Sequence, residues 1–176
     1  TKNGIQVHWA ETPDEANEII LGICKKHQAR LMVKGKSMVS EEIELNHACA
    51  AVGIEAMESD MGEYIVQLAG EKPSHIIMPA IHKTKEEIAR LFHEKVEGVD
   101  YTDNVDELIQ IGRKVLREKF LVADIGLSGV NFAVAETGTL CLVENEGNGR
   151  MCTTAPPVHI AITGIEKVVA KLAHVP

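Results

Sequence analysis

Side chains that could do chemistry are concentrated in four polar segments of an otherwise apolar sequence. These segments are residues 34–40, 75–84, 124–139 and 144–154. Each lies between stretches whose apolar spacing is typical of buried strands or helices. A polar side chain in such surroundings costs free energy unless it is hydrogen-bonded or used for binding or catalysis. The four segments are therefore where a site is expected.

The first segment carries two lysines and a serine between a predicted strand and a predicted helix. Lys34, Lys36 and Ser37 follow the apolar stretch 29–33 and precede a helix expected over 39–51. In α/β proteins ligands bind beyond the carboxyl ends of the strands, and a helix amino terminus beside lysines favours an anion. We therefore predict that these three residues bind a ligand. The alternative is a solvated loop in which Ser37 or Ser40 caps the helix, and the spacing is not that of a P-loop.

The second segment and the helix after it contain three histidines. His75, His82 and His93 are separated by seven and eleven residues. These separations match no common zinc pattern, so structural or merely polar roles are favoured over metal binding. His82 is expected at a sheet edge, where it could take a proton from a ligand. It is one of two catalytic candidates.

The third segment contains the other catalytic candidate, Glu136. Its carboxylate follows a strongly apolar stretch and could act as a nucleophile or general base. Glu136, Thr137 and Gly138 together form a turn that fits a β-hairpin. We predict that Thr137 and Gly138 contact the ligand. The alternative is that Glu136 braces the hairpin.

The fourth segment is a glycine-rich turn that ends in an arginine. Backbone N–H groups of such a turn, together with a guanidinium group, can hold a carboxylate or a phosphate. The predicted ligand-binding residues here are Asn145, Gly147 and Arg150. The alternative is a long hairpin loop or a strand-to-helix loop without a ligand.

Composition limits the classes of function. The chain has 176 residues, enough for one domain with a sizeable core. Its net charge of −8 argues against a nucleic-acid partner, which needs clustered Lys and Arg. No apolar run approaches the roughly 20 residues of a membrane helix, so no integral membrane segment is expected. The four cysteines form no CxxC pair and are interpreted as free thiols in a reducing cytosol, without a metal or cofactor site.

The order of predicted elements indicates an α/β domain with a mainly parallel sheet flanked by helices. Thr12, Pro13 and Glu15 mark the start of a first helix, and Thr84 with Glu87 marks another. Residues 64–68 fit a strand or a helix. The further predictions are strands over 54–57, 76–78 and 158–162, central strands over 130–135 and 139–143, a helix capped by Thr102 or Asp103, and a terminal helix over 165–172.

Several long motifs, in a fixed order, resemble the lactate-utilization (LUD) domain family. They are residues 34–43, 62–68, 73–84 and 123–150, and the resemblance covers nearly the whole chain. It implies a parallel-sheet fold similar to the group of ribose-phosphate isomerase, glucosamine-phosphate deaminase and the CoA-transferases. It also implies a cytoplasmic multi-protein system that oxidises L-lactate to pyruvate, whose other lactate-utilization proteins would be partners.

The resemblance further implies that residues 1–176 are a single LUD domain from a longer iron–sulfur protein. Family members carry 4Fe–4S clusters after this domain, so a fragment ending here would hold none. A glutamate is the nucleophile in CoA-transferases, which resemble this fold, and Glu136 is the best-placed glutamate. That analogy is at the level of the fold.

Three hypotheses for function remain open. In the first, the predicted site residues converge on a small carboxylate or other anion. In the second, the chain is a non-catalytic docking module for partner subunits. In the third, it is an isomerase-like or CoA-transferase-like enzyme that acts on a phosphorylated sugar or an acyl-CoA. Clustering of the polar residues at one sheet edge would favour the first hypothesis over the second.

Overall fold

The computed structural model describes residues 4–75 and 78–176 and contains a four-stranded parallel sheet. In spatial order its strands span Glu55–Glu58, Leu31–Lys34, Ile125–Ser128 and Val158–Ala161, and every neighbouring pair is parallel. This confirms the predicted α/β class with a parallel sheet flanked by helices. The strands of this sheet are β1 (Leu31–Lys34), β2 (Glu55–Glu58), β3 (Ile125–Ser128) and β6 (Val158–Ala161).

Helices cover both faces of the sheet. Every residue of β1 and β3 is buried, as expected for central strands of a parallel sheet. One face packs against Ile20 and Cys49, and the other packs against Phe92 and Phe120. The helices are α1 (Pro13–Lys26), α2 (Met38–Glu42), α3 (Leu45–Ala51), α4 (Met61–Ala69), α5 (Lys85–Lys95), α6 (Val105–Val122) and α7 (Asn148–Thr154).

Capping residues predicted from the sequence begin two of these helices. Thr12 caps α1 and accepts a hydrogen bond from Glu15 N, although the Glu15 side chain accepts from Glu11 N instead of completing the capping box. Thr84 and Glu87 form a complete capping box on α5. The segment 64–68, which fitted either element, is helical within α4.

Two helical predictions need correction. The cap of α6 is neither Thr102 nor Asp103: it is Asn104, whose side chain accepts hydrogen bonds from the first turn. The single helix predicted over 39–51 is broken into α2 and α3, because Glu44 adopts a left-handed conformation with φ 52°. The Asn17 amide of α1 donates to Ile43 O at 2.7 Å and so compensates the break.

A second sheet of three strands, in the order β5-β4-β7, contains the predicted hairpin. β4 (Phe132–Val134) and β5 (Thr139–Cys141) are antiparallel, but β5 lies at the edge, so the prediction of two central strands is wrong for β5. The terminal helix predicted over 165–172 is also wrong. Two 3-10 helices (Ile165–Lys167 and Leu172–His174) flank β7 (Val168–Val169), which pairs with β4.

Two other predictions have different outcomes. The strand over 158–162 is confirmed as β6. The strand over 76–78 falls mainly outside the described residues, because 76 and 77 are not among them. Within the ranges described, the helices lack the length and apolar character that a bilayer crossing requires.

Candidate functional site

Charged side chains gather at the carboxyl edge of the parallel sheet. β1 ends at Lys34 and β2 ends at Glu58, and the strand register places these two residues opposite each other. The loops that follow contribute Lys36 and Asp60. This is the edge at which α/β proteins bind ligands.

Lys34 is a completely buried cation at the base of this cluster. Its Nζ lies 2.7 Å from Glu58 Oε1 and 3.3 Å from Glu41 Oε1. Burial alone would lower the pKa of Lys34, but the two carboxylates outweigh that effect and hold it above its ordinary value. Asn46 adds a hydrogen bond to Glu58 Oε1 at 2.8 Å. Lys34 is therefore engaged by protein groups.

Glu63, in the first turn of α4, is a second buried ionisable side chain of this cluster. Lys36 Nζ lies 3.6 Å from its Oε1. Its Oε2 is buried and has no hydrogen-bond partner among the residues described. Burial, together with the nearby charges of Glu58 and Asp60, raises the pKa of Glu63 to about 8 despite the opposing effect of Lys36. Glu63 therefore holds a proton over much of the neutral range.

A cleft of about 650 Å³ opens beside this cluster. Its volume suits a small molecule. It is bounded by the start of α2, by α3, by α4 and by the segment that follows α4. Its polar lining includes Lys36, Asn46, Glu58, Glu63, Glu71 and His75.

The three residues of the first predicted ligand-binding segment, Lys34, Lys36 and Ser37, differ in how deeply they are buried. Lys36 lines the cleft, and its side chain is 31% exposed. Lys34 lies buried below it. Ser37 caps α2 by accepting a hydrogen bond from Ser40 N at 3.3 Å. Of the three, Lys36 is the residue that a ligand in the cleft can reach.

His82 lies near the rim of the cleft. Its Nδ1 is 2.6 Å from Ser74 Oγ and its Nε2 is 2.8 Å from Glu71 Oε2, and both partners line the cleft. Lys83 also contacts the Glu71 carboxylate. Hydrogen bonds from Lys83 and His82 lower the pKa of Glu71 below its ordinary value. The structure thus connects His82 to the cleft through residues that sequence reasoning had not selected.

Glu136, Thr137 and Gly138 form the exposed turn between β4 and β5. Glu136 N donates to Ala170 O at 3.1 Å, which ties the turn to the strand end of β7. Among the residues that the structure describes, the cleft lining includes none from this turn. The hairpin and the cleft are therefore separate candidate locations.

The glycine-rich segment before and within α7 contains the remaining predicted residues. Gly147 precedes α7 with φ 88°, and Asn145 is exposed. Arg150 Nε lies 3.3 Å from Glu144 Oε1, and the Arg150 side chain is 77% exposed. The guanidinium group is thus paired within its own segment. The predicted loop is partly helical, because residues 148–154 form α7.

One residue of that segment, Glu146, does approach the sheet edge. Burial and the charge of Asp60 raise the pKa of Glu146, while Lys36 opposes the shift. Glu146 was not selected from the sequence, and neither were Glu58 and Glu63. A signal existed for Glu58, because polar residues follow the predicted strand 54–57 directly, as they follow 29–33.

A serine and a histidine meet near the end of β3. Ser128 Oγ lies 2.8 Å from His159 Nε2 of the neighbouring strand β6. Burial lowers the pKa of His159 and so favours the neutral imidazole. Ser128 is almost completely buried. The pair therefore fits a hydrogen bond that satisfies two polar groups between strands.

The cysteines are free thiols in the structure. Burial raises the pKa of Cys24 and Cys152 to about 11, so both are protonated at neutral pH. Cys24 and Cys49 lie in the core, whereas Cys141 is half-buried in β5. In the part of the chain that is described, no group of three or more potential metal-ligating side chains is found.

Comparison with known proteins gives consistent results. The chain is 47% identical over 175 residues to an uncharacterized electron transport protein, YkgF, of Escherichia coli (strain K12), covering 99% of this chain and 37% of that protein. It is 48% identical over 169 residues to lactate utilization protein B of Bacillus cereus (strain AH820), covering 96% of this chain and 36% of that protein. The chain thus spans a little over a third of the length of these relatives.

No solved structure matches the chain, so the likeness to the isomerase, deaminase and CoA-transferase group stays a prediction. The LUD domain family model matches residues 1–175, which include the sheet, the cleft and the hairpin. The two relatives likewise align over 99% and 96% of the chain. By sequence and over essentially its full length, the chain belongs to the LUD domain family.

Proposed function

We propose that this chain serves lactate utilization by binding a small carboxylate in the cleft at the sheet edge. The name of the Bacillus relative supports the process, since that protein is 48% identical to this chain. The observation that carries the proposal is the position of Lys36. Its ammonium group lies at the carboxyl edge of a parallel sheet and lines a cleft of suitable size.

Binding would depend on an ion pair between the ligand carboxylate and Lys36. Lys34 is engaged by Glu58 and Glu41, so it would act by holding the lining in place. His82 would act at the rim, where it is hydrogen-bonded to two lining residues. The catalytic roles of His82 and Glu136 stay predictions.

The proposal extends to a longer polypeptide and to partners. Residues 1–176 would form one LUD domain of an iron–sulfur protein whose 4Fe–4S clusters lie in another region. That protein would work with other lactate-utilization proteins to oxidise L-lactate to pyruvate. The name of the Escherichia coli relative, an uncharacterized electron transport protein, supports this extension.

Calorimetric titration of the chain tests the binding proposal. L-lactate, pyruvate, inorganic phosphate and a CoA ester would be titrated into the wild type, into Lys36→Gln and into the control Lys114→Gln on α6. We expect L-lactate or pyruvate to bind the wild type and the control, and Lys36→Gln to lose at least tenfold in affinity. Preference for phosphate or the CoA ester would instead support an isomerase-like or CoA-transferase-like enzyme. No binding of any probe would contradict the proposal.

A docking module is the second candidate, because apolar side chains are exposed near the second sheet. They include Val143, Ile165 and Leu172, which are 77%, 74% and 57% exposed. A contiguous patch of exposed apolar side chains marks an interaction surface, and Ile165 and Leu172 flank the same strand, β7. Coexpression with lactate-utilization partner proteins would test this function. Loss of copurification in Ile165→Ser/Leu172→Ser, with retention in Lys36→Gln, would favour docking at this surface.

A further inference from the structure

The charges of the cleft raise a problem for any anionic ligand. Its lining contains two lysines, Lys36 and Lys72, but more glutamates than lysines. A ligand carboxylate would be repelled if all of the glutamates were ionised. The lining glutamates are Glu41, Glu44, Glu58, Glu63 and Glu71.

Glu63 differs from the other lining glutamates in its contacts. The residue is 8% exposed. One carboxyl oxygen faces Lys36 at 3.6 Å, and the other is buried without a hydrogen-bond partner among described residues. Asn46 Oδ1, also in the lining, is likewise buried and without a partner. Unsatisfied buried polar atoms are costly, so their concentration at one cleft indicates groups that a ligand or solvent completes.

The surroundings of Glu63 favour its neutral form. Glu58 from β2, Asp60 from the start of α4 and Glu146 from the loop before α7 contribute negative charge to this edge. Lys36, from the β1–α2 loop, opposes them, and Lys34 is already paired with Glu58 and Glu41. A neutral Glu63 has an O–H group to donate, for which the nearby Glu58 carboxylate competes with a ligand, and it does not hold Lys36 in a full ion pair.

We propose that Glu63 carries a proton in the open cleft and donates it as a hydrogen bond to the carboxylate of a small acid, whose counter-ion is Lys36. This inference rests on the proposed function, which places a carboxylate in the same cleft. It explains how an acidic cleft accepts an anion. It also identifies Glu63 as a ligand-contacting residue that sequence reasoning missed.

The inference predicts that binding is linked to a proton. A bound carboxylate adds negative charge beside Glu63 and therefore raises its pKa further above the value of about 8 in the free protein. Below that pH the proton is already present, so binding takes up none. Above it, binding must take up a proton, and the affinity falls by up to about tenfold per pH unit.

Titration calorimetry with L-lactate and with pyruvate between pH 6 and pH 10, in buffers of different ionisation enthalpy, measures this proton directly. We expect the wild type to take up close to one proton per ligand above pH 8. Glu63→Gln keeps a neutral donor, so it should bind with an affinity that does not depend on pH and without proton uptake. The control Glu118→Gln removes an exposed carboxyl group on α6 and should match the wild type.

The outcomes separate this inference from the function on which it rests. Suppose that binding is lost in Lys36→Gln, so that the cleft is the site. If the wild type then takes up no proton on binding, or if Glu63→Gln takes up the same proton as the wild type, the role of Glu63 is overturned. Absence of binding by the wild type at every pH overturns both. If Glu63→Gln does not fold, a carbon-13 NMR titration of wild-type glutamate carboxyls decides. A Glu63 signal that titrates at the ordinary value overturns the inference.

Discussion

The carboxyl edge of the parallel sheet and the β4–β5 turn both place acidic side chains beside apolar strands, but in different environments. At the sheet edge, Lys34 and Glu58 are buried and paired at 2.7 Å. At the turn, Glu136 is exposed to solvent. The effective dielectric constant is lower and screening by salt is weaker at the buried sheet edge than at the turn. Adding or removing a charge there therefore changes the free energy far more.

In this chain, charged side chains gather where the loops after two neighbouring parallel strands meet, and a residue that follows an isolated hairpin strand has no such neighbours. β1 and β2 lie side by side in the four-stranded sheet, and the loops after them meet at one edge. The strand before Glu136 belongs to a small separate sheet. Both segments look equally promising in sequence, because a local pattern does not specify which sheet a strand joins.

The largest expected effect contrasts two glycines. A Cβ at Gly126 in β3 would lie 1.8 Å from Cys152 O of α7, so the helix backbone would have to move. Gly138 in the hairpin has φ 71°, a left-handed conformation that alanine adopts only with strain. We expect Gly126→Ala to destabilise by at least about 4 kcal/mol or to prevent folding. Gly138→Ala should cost about 1–2 kcal/mol. Urea unfolding measures both losses of stability. Equal losses in the two variants would contradict the expected difference between these glycines.

The next effect contrasts buried and exposed charge. Lys34→Met leaves Glu58 buried without its cation, so we expect a loss of about 3–5 kcal/mol in the free energy of unfolding. Glu136→Gln, at an exposed position, should change it by less than about 0.5 kcal/mol. Chemical denaturation at pH 7 gives both values. A Lys34→Met protein as stable as the wild type would show that the buried pair is not important for the fold.

A smaller effect concerns the pH dependence of stability. The pKa of Glu63 is about 8 in the folded protein against an ordinary 4.5, so between these values the folded state binds more protons than the unfolded state. The contribution of Glu63 to stability is therefore fully present below pH 4.5 and is lost as the pH rises to about 8.

Replacing Glu63 by a residue that does not ionise should stabilise the protein at high pH. Because one pKa unit corresponds to about 1.4 kcal/mol, Glu63→Gln should gain roughly 2–3 kcal/mol over the wild type between pH 6 and pH 8. Denaturation curves at both pH values measure the gain, with Glu118→Gln as control. A stability difference that does not change with pH would show that Glu63 titrates normally.

The smallest effect is expected at Arg150. Its side chain is mostly exposed, and its partner Glu144 lies in the same segment. Arg150→Met should therefore cost no more than about 0.5 kcal/mol in stability and leave L-lactate binding intact. Calorimetry and denaturation of this variant check both expectations. A loss of binding equal to that of Lys36→Gln would place the α7 segment in the site.

Local signals in the sequence predicted much of the fold. The caps at Thr12 and Thr84 and the strand β6 depend on neighbouring residues in the chain, and all three are confirmed. The break at Glu44 and the strand β7 depend on distant partners, namely Asn17 and β4, so no local pattern specified them.

The candidate site was predicted only in part for the same reason. Lys36 could be placed at a sheet edge because it follows a strand. The proton on Glu63 could not be predicted, because it results from burial and from Glu58, Asp60 and Lys36, which the tertiary structure brings together. The resemblance to LUD domains predicted the family of the chain, but it did not predict where a ligand binds.

The most direct test of the account is an NMR titration of the nitrogen-15-labelled chain with L-lactate, which needs no substitution. We expect amide shifts to concentrate in the cleft segments, residues 36–47 and 58–75, and amides 135–139 of the hairpin to stay unchanged. Shifts concentrated at the hairpin, or no shifts at saturating L-lactate, would contradict the claim that the cleft binds a small carboxylate.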